Sequence, residues 1–291
     1  MLRKTGLVAF LVAQSFCGAA AHGQTEAVTL TPLNSWNLDY SEDSCALRRG
    51  FSDGTSSVFL EMRQFAPEGE FRFTVYSNEM EPHQGDVEYL LHPEDQPRFA
   101  SSVLSIAIGE SGRGVIFDGG LGFRPESPDQ NVALTSEQIA AWESRIVGIS
   151  LLNAFEQPVR LETGSMHEPL NAMRQCMDEL LTHWNIDVAA HRTLKRRAEP
   201  VRYERLLRQM WHSYPAREAG GGYQAALRLR LIIGTNGRVA ECHVQTGIGL
   251  EAFSDSACLT LRQYGRFEPA LDANGEPIRS YWTTSVSYIQ D

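Results

Sequence analysis

The chain predicts an α+β protein of two folded modules, a larger β-rich one followed by a smaller one built from a three-stranded sheet and helices. Three observations carry that prediction. Between Trp36 and about Gly164 most apolar runs have strand length, with only two helical patterns among them. From Tyr223 to the end, strand patterns flank one amphipathic helix, Leu250 to Tyr264. Finally, 291 residues with 42% apolar content are enough for two cores rather than one.

In the first module, Ser57–Met62 and Phe71–Tyr76 read as strands separated by Pro67-Glu68-Gly69. In the second run, Phe71, Phe73 and Val75 alternate with Arg72, Thr74 and Tyr76, the period of a half-buried strand. Val103–Ile108 and Val115–Phe117 add two more across the turn-rich Gly109-Glu110-Ser111-Gly112, and Ile149–Leu161 supplies one or two. A helix is expected over Ile139–Ile146 after the polar start Thr135-Ser136-Glu137. A second runs over Glu168–Trp184, where Leu170, Met173, Met177, Leu180, Leu181 and Trp184 form one apolar stripe that reads as core. This β-rich domain, sandwich or barrel-like with two helices, is assigned to 28–186, and 187–200 reads as a solvated basic linker. Arg202–Trp211 predicts a short helix leading into the last module, 201–291.

Residues 1–23 read as a cleavable signal peptide: Arg3 and Lys4, the apolar stretch Leu7–Ala13, then small residues. The apolar stretch is shorter than the ~20 residues of a membrane span, so none is expected after its removal. The expected compartment is the periplasm. Cys45, Cys176, Cys242 and Cys258 remain, and an oxidising compartment turns four thiols into as many as two bridges with three pairings. Proximity and modularity favour Cys45–Cys176 and Cys242–Cys258. Zinc-like spacing is lacking, so no metal is expected. With 26 basic and 36 acidic residues the chain carries −10, and −12 without Arg3 and Lys4, which argues against nucleic-acid binding.

In the last module, Leu227, Leu229, Leu231 and Ile233 share one side of a strand, with Arg228 and Arg230 opposite. Asn236-Gly237 predicts a tight hairpin, because both residues tolerate positive φ. Ala240, Cys242 and Val244 then face one way, with Glu241, His243 and Gln245 opposite. Leu250, Phe253, Ala257, Leu261 and Tyr264 form a helical stripe flanked by Cys258. Arg266-Phe267-Glu268-Pro269-Ala270 and Gly275-Glu276-Pro277-Ile278 precede a closing strand.

With Tyr214-Pro215 at its start, this order of landmarks resembles the C-terminal domain of the TonB family. The resemblance implies a three-stranded antiparallel sheet with helices on one face. It also implies a terminal strand that accepts an extended segment of an outer-membrane transporter as an added strand. The edge so implied includes Arg279, Tyr281, Trp282, Thr284, Val286 and Tyr288, whose aromatics either meet a partner or pack the sheet. The family's membrane helix and Pro-rich spacer have no counterpart here, so the resemblance implies the binding module without force transduction. The implied partner is a protein or peptide, with self-pairing into a homodimer or a scaffolding role as the alternative. Catalytic residues are expected to be absent. There is no G-x-S-x-G, H-E-x-x-H or phosphate-loop motif, although a ligand-binding or hydrolytic first domain is a further alternative.

Overall fold

The computed structural model describes residues 27–67, 69–83, 85–109, 112–119, 123 and 134–289. The expected signal peptide lies outside the described residues. The first module opens with β1 (Val28–Pro32), β2 (Asn37–Ser41), β3 (Ser44–Ser52), β4 (Ser57–Gln64), β5 (Phe71–Ser77) and β6 (Val87–His92). It continues with β7 (Arg98–Ala100), β8 (Ser102–Ile108), β9 (Gly112–Asp118), α1 (Ser136–Arg145), β10 (Gly148–Leu151), β11 (Val159–Leu161) and α2 (His167–His183).

The strands pair in the order β7-β6-β10-β11-β1-β3-β4-β5-β9-β8, with β2 added on β3. β1 is the corner. Its Val28–Leu30 run parallel to β11, while Thr31 and Pro32 pair antiparallel with β3. The sheet then folds over on itself. Tyr89 of β6 sits 5.7 Å from the Phe73 ring of β5 and 5.9 Å from Phe117 of β9, near the other end of the pairing order. Its hydroxyl donates to the Gly119 carbonyl at 2.8 Å. Among the described residues β7 and β8 do not pair, so the domain is a curled open sheet, a half-barrel around one core. The alternation of β5 is why it can line that core: Phe71, Phe73 and Val75 are buried and their neighbours are not.

Each helix in this module keeps one feature that its sequence dictates, a cap on α1 and a buried stripe on α2. Thr135 and Gln138 form a reciprocal capping box before α1. The stripe of α2 is buried, and Cys176 is bonded to Cys45 of β3, tying the module's last helix to its beginning.

The second module contains α3 (Val188–Arg192), β12 (Glu199–Pro200), α4 (Tyr203–His212), α5 (Ala216–Gly220), β13 (Ala225–Ile233) and β14 (Val239–Ile248). After α6 (Glu251–Tyr264) come β15 (Phe267–Glu268), β16 (Ala270–Leu271), β17 (Pro277–Ile278) and β18 (Ser280–Tyr288). The principal sheet is β14-β13-β18, antiparallel throughout. Leu227, Leu229, Leu231 and Ile233 face α6, whose Phe253, Ala257 and Leu261 complete the core. Cys242 and Cys258 are bonded across that interface.

Two local expectations need correction. The 187–200 stretch is not a solvated linker: it forms α3, buries His191, and pairs Glu199 and Pro200 with Glu268 and Phe267. Its Leu194 and Ala198 join the second core. The hairpin is also longer than a two-residue turn. Gly237 N–H donates to the Gly234 carbonyl and Gly234 N–H to the Arg238 carbonyl, and only Gly237, at φ +69°, is left-handed. A Cβ on Gly237 would come within 2.0 Å of the Phe267 carbonyl, so glycine is required for close approach as well as for φ.

Candidate binding edge

β18 is nine residues long and pairs along its whole length with β13, from Ser280↔Ile233 to Tyr288↔Ala225. Among the described residues no strand pairs with its other side. Successive side chains alternate between the two faces of the sheet. Trp282 lies 5.3 Å from the Phe267 ring and 6.2 Å from Tyr203. Tyr288 is buried beside Phe253 and Tyr214, and its hydroxyl meets that of Ser213 at 3.1 Å. Burial pushes the Tyr288 phenol above its ordinary pKa. Val286 is half-buried against the same cluster.

Tyr281, on the opposite face, reaches the first module. Its hydroxyl donates to the Pro67 carbonyl at 3.0 Å, and its ring packs against Trp184 and His191. Arg279 pairs with Glu241 at 2.5 Å. The Arg279 and His243 side chains, bonded to the Glu241 carboxylate, hold it below its ordinary pKa. Thr284 is half-buried, and Ser285 and Ser287 are exposed. The aromatic side chains thus pack the fold, and what the strand offers outward is its backbone edge.

The face of the sheet away from the helices docks on the half-barrel. Arg230, 3% exposed, lies 3.9 Å over the Trp184 ring and pairs with Asp43. Arg228 lies over Phe65 at 4.9 Å and 3.6 Å from the Asp118 carboxylate. Burial pulls both guanidinium pKa values down, and each acid partner opposes it. The Gln245 amide donates to the Phe65 and Asp43 carbonyls at 2.6 and 3.0 Å. Ile232 is buried in the first module's core. The edge of β18 is therefore held in a two-module frame.

A cleft of about 320 Å³ opens at the start of that edge, lined by Pro67, Gly69, His191, Arg197 and Ser280–Thr283. The helix α4 runs alongside, with Tyr203 next to Trp282 at one end and Ser213 next to Tyr288 at the other. Sequence reasoning finds this helix but not its seat. The only signal for it is the four-residue spacing of Tyr203, Leu207 and Trp211.

Among the described residues no helix is long and apolar enough to cross a membrane. No curated protein and no solved structure matches the chain. Residues 212–289 match the family model described as the Gram-negative bacterial TonB protein C-terminal, a stretch that takes in β13, β14, α6 and β18. Over this roughly one quarter of its length, the chain carries a TonB C-terminal domain, and the curled β domain lies outside the match.

Proposed function

We propose that this is a periplasmic binding protein that takes an extended peptide segment of a protein partner, such as an outer-membrane transporter, by strand addition to β18. The observation that carries this reading is an edge of nine residues, paired on one side only among the described residues, with its aromatic side chains already packed. Such an edge presents a row of unused amide and carbonyl groups, the recognition element of β-augmentation. The TonB C-terminal domain supports a transport-associated interaction, and two disulfides support an oxidising envelope compartment. The reading is binding rather than catalysis, since the charged groups at the module junction are engaged in ion pairs and carbonyl contacts.

The test is amide hydrogen exchange on the full chain with and without transporter-derived peptides. Protection should rise at alternate amides of Ser280–Tyr288 and not in β14. Unchanged exchange along β18 at saturating peptide would sink the reading.

A further inference from the structure

A second cleft, of about 270 Å³, lies between the start of α4 and the end of α6 and takes no residue from β18. Val201, Arg202, Arg205, Leu206, Tyr264 and Arg266 line it. The first four precede the matched 212–289 stretch. Backbone contacts build the cleft. The Val201 N–H donates to the Arg266 carbonyl at 2.7 Å and Pro200 pairs with Phe267, so the chain entering α4 is tied to the chain leaving α6. Arg202 then turns into the helix at φ +54°, in the left-handed region that arginine seldom occupies. Arg205 follows three residues on, the spacing that puts two side chains on one flank. Arg266 is anchored at the end of α6: one terminal guanidinium nitrogen donates to the Gln263 and Gly265 carbonyls at 3.0 and 2.6 Å. That leaves its other two nitrogens for a ligand.

Charge and shape favour one kind of ligand. Elsewhere in this module Arg196, Arg230 and Arg279 each have a carboxylate. Among the described residues no carboxylate pairs with Arg202 or Arg205. Three cations around one cleft exceed what a single carboxylate neutralises. They match a dianionic phosphoryl group, whose oxygens accept guanidinium forks in pairs. A long polyanion is disfavoured by a chain of −10. The rest of the lining is apolar, with Leu206 buried and Val201 and Tyr264 37% and 42% exposed.

We propose that this cleft binds a phosphate monoester through Arg202, Arg205 and Arg266, with an apolar part of the ligand against Val201 and Tyr264. A soluble phosphoester and a lipid headgroup present the same recognised group. The inference does not rest on strand addition at β18.

The experiment titrates the full chain with phenyl phosphate, inorganic phosphate and benzoate, following the arginine Nε–H signals by NMR. In parallel, the chain is sedimented with phosphatidylcholine vesicles with and without phosphatidic acid. Phenyl phosphate should shift Arg202, Arg205 and Arg266 and bind more tightly than inorganic phosphate or benzoate. Sedimentation that requires phosphatidic acid assigns the group to a lipid; a response to phenyl phosphate alone assigns it to a soluble ester. In whichever arm responds, R202G should weaken binding about tenfold, the loss of one charge-assisted contact. Its melting temperature should hold, because glycine fits this backbone without strain. R205Q should weaken binding similarly. Silence in both arms would overturn the proposal, as would benzoate matching phenyl phosphate. Unchanged binding in both variants would reduce the response to an adventitious anion effect and overturn it too. Inorganic phosphate matching phenyl phosphate would refute the apolar contact.

Discussion

The two faces of the C-terminal sheet are covered by opposite chemistry. On one, Leu227, Leu229, Leu231 and Ile233 meet Phe253, Ala257 and Leu261, an apolar layer that Trp282 and Tyr288 extend with their rings. On the other, Arg228, Arg230, Gln245 and Tyr281 reach across to Phe65, Asp43, Trp184 and Pro67 through rings, ion pairs and carbonyls. The first face holds the module together. The second holds it against its neighbour, with directional contacts that fix how the β18 edge is presented. Apolar burial is tolerant of angle, whereas a guanidinium over an indole with a carboxylate at its tip is not.

That contrast can be broken from either side. The largest effect is expected on the apolar face: Phe253→Ala should cost about 3–5 kcal/mol of stability in the second module. Calorimetry should show its transition falling while that of the half-barrel holds. A single transition falling as a whole would mean that the two modules unfold as one unit. Removing both cysteines of the Cys242–Cys258 bridge, 16 residues apart, should cost about 3 kcal/mol in the same transition. Arg230→Ala probes the other face. It leaves Asp43 without its partner, and because that carboxylate is part-exposed the loss should be about 2 kcal/mol. Its signature is different: exchange should accelerate at the Ile232 and Tyr281 amides more than at the α6 amides.

The smallest effect is a pH dependence of the same docked face. Glu241 has a folded pKa below its ordinary 4.5, so the unfolded chain binds its proton first as the pH falls. Its contribution is therefore fully present above about pH 4.5 and lost as the pH drops through the depressed folded value. Glu241→Gln should flatten the acid limb of a stability–pH curve. An unchanged limb would show that the Arg279 pair contributes nothing to docking.

Much of the second module was legible because its signals are local. The four aliphatics of β13 share one face by the period of two, and the stripe of α6 follows from the helical period. Cys258 on that stripe then falls opposite Cys242, which is the bonded pair. The favoured Cys45–Cys176 pairing likewise matches the structure, since β3 and α2 both face the first core. The linker reading failed because 187–200 finds its partners, Phe267, Glu268 and Leu271, far along the chain, and a basic composition carries no trace of them. The β18 aromatics stayed ambiguous for a related reason. Trp282 and Tyr288 have the same side-chain chemistry whether they pack on Phe267 and Phe253 or wait for a partner.

By itself the sequence determined the two-module α+β plan, the apolar side of β5, β13 and α2, and the family likeness of the last quarter. These follow from periodicity and turn chemistry within about thirty residues at a time. Only the tertiary structure decided that the arginines of β13 lie under the half-barrel, that α4 borders the terminal strand, and that the strand's aromatic side chains are engaged while, among the described residues, no strand pairs with its outer edge. Those outcomes depend on contacts such as Arg230 with Asp43, 187 residues apart, and no local pattern encodes which distant carboxylate a guanidinium will find.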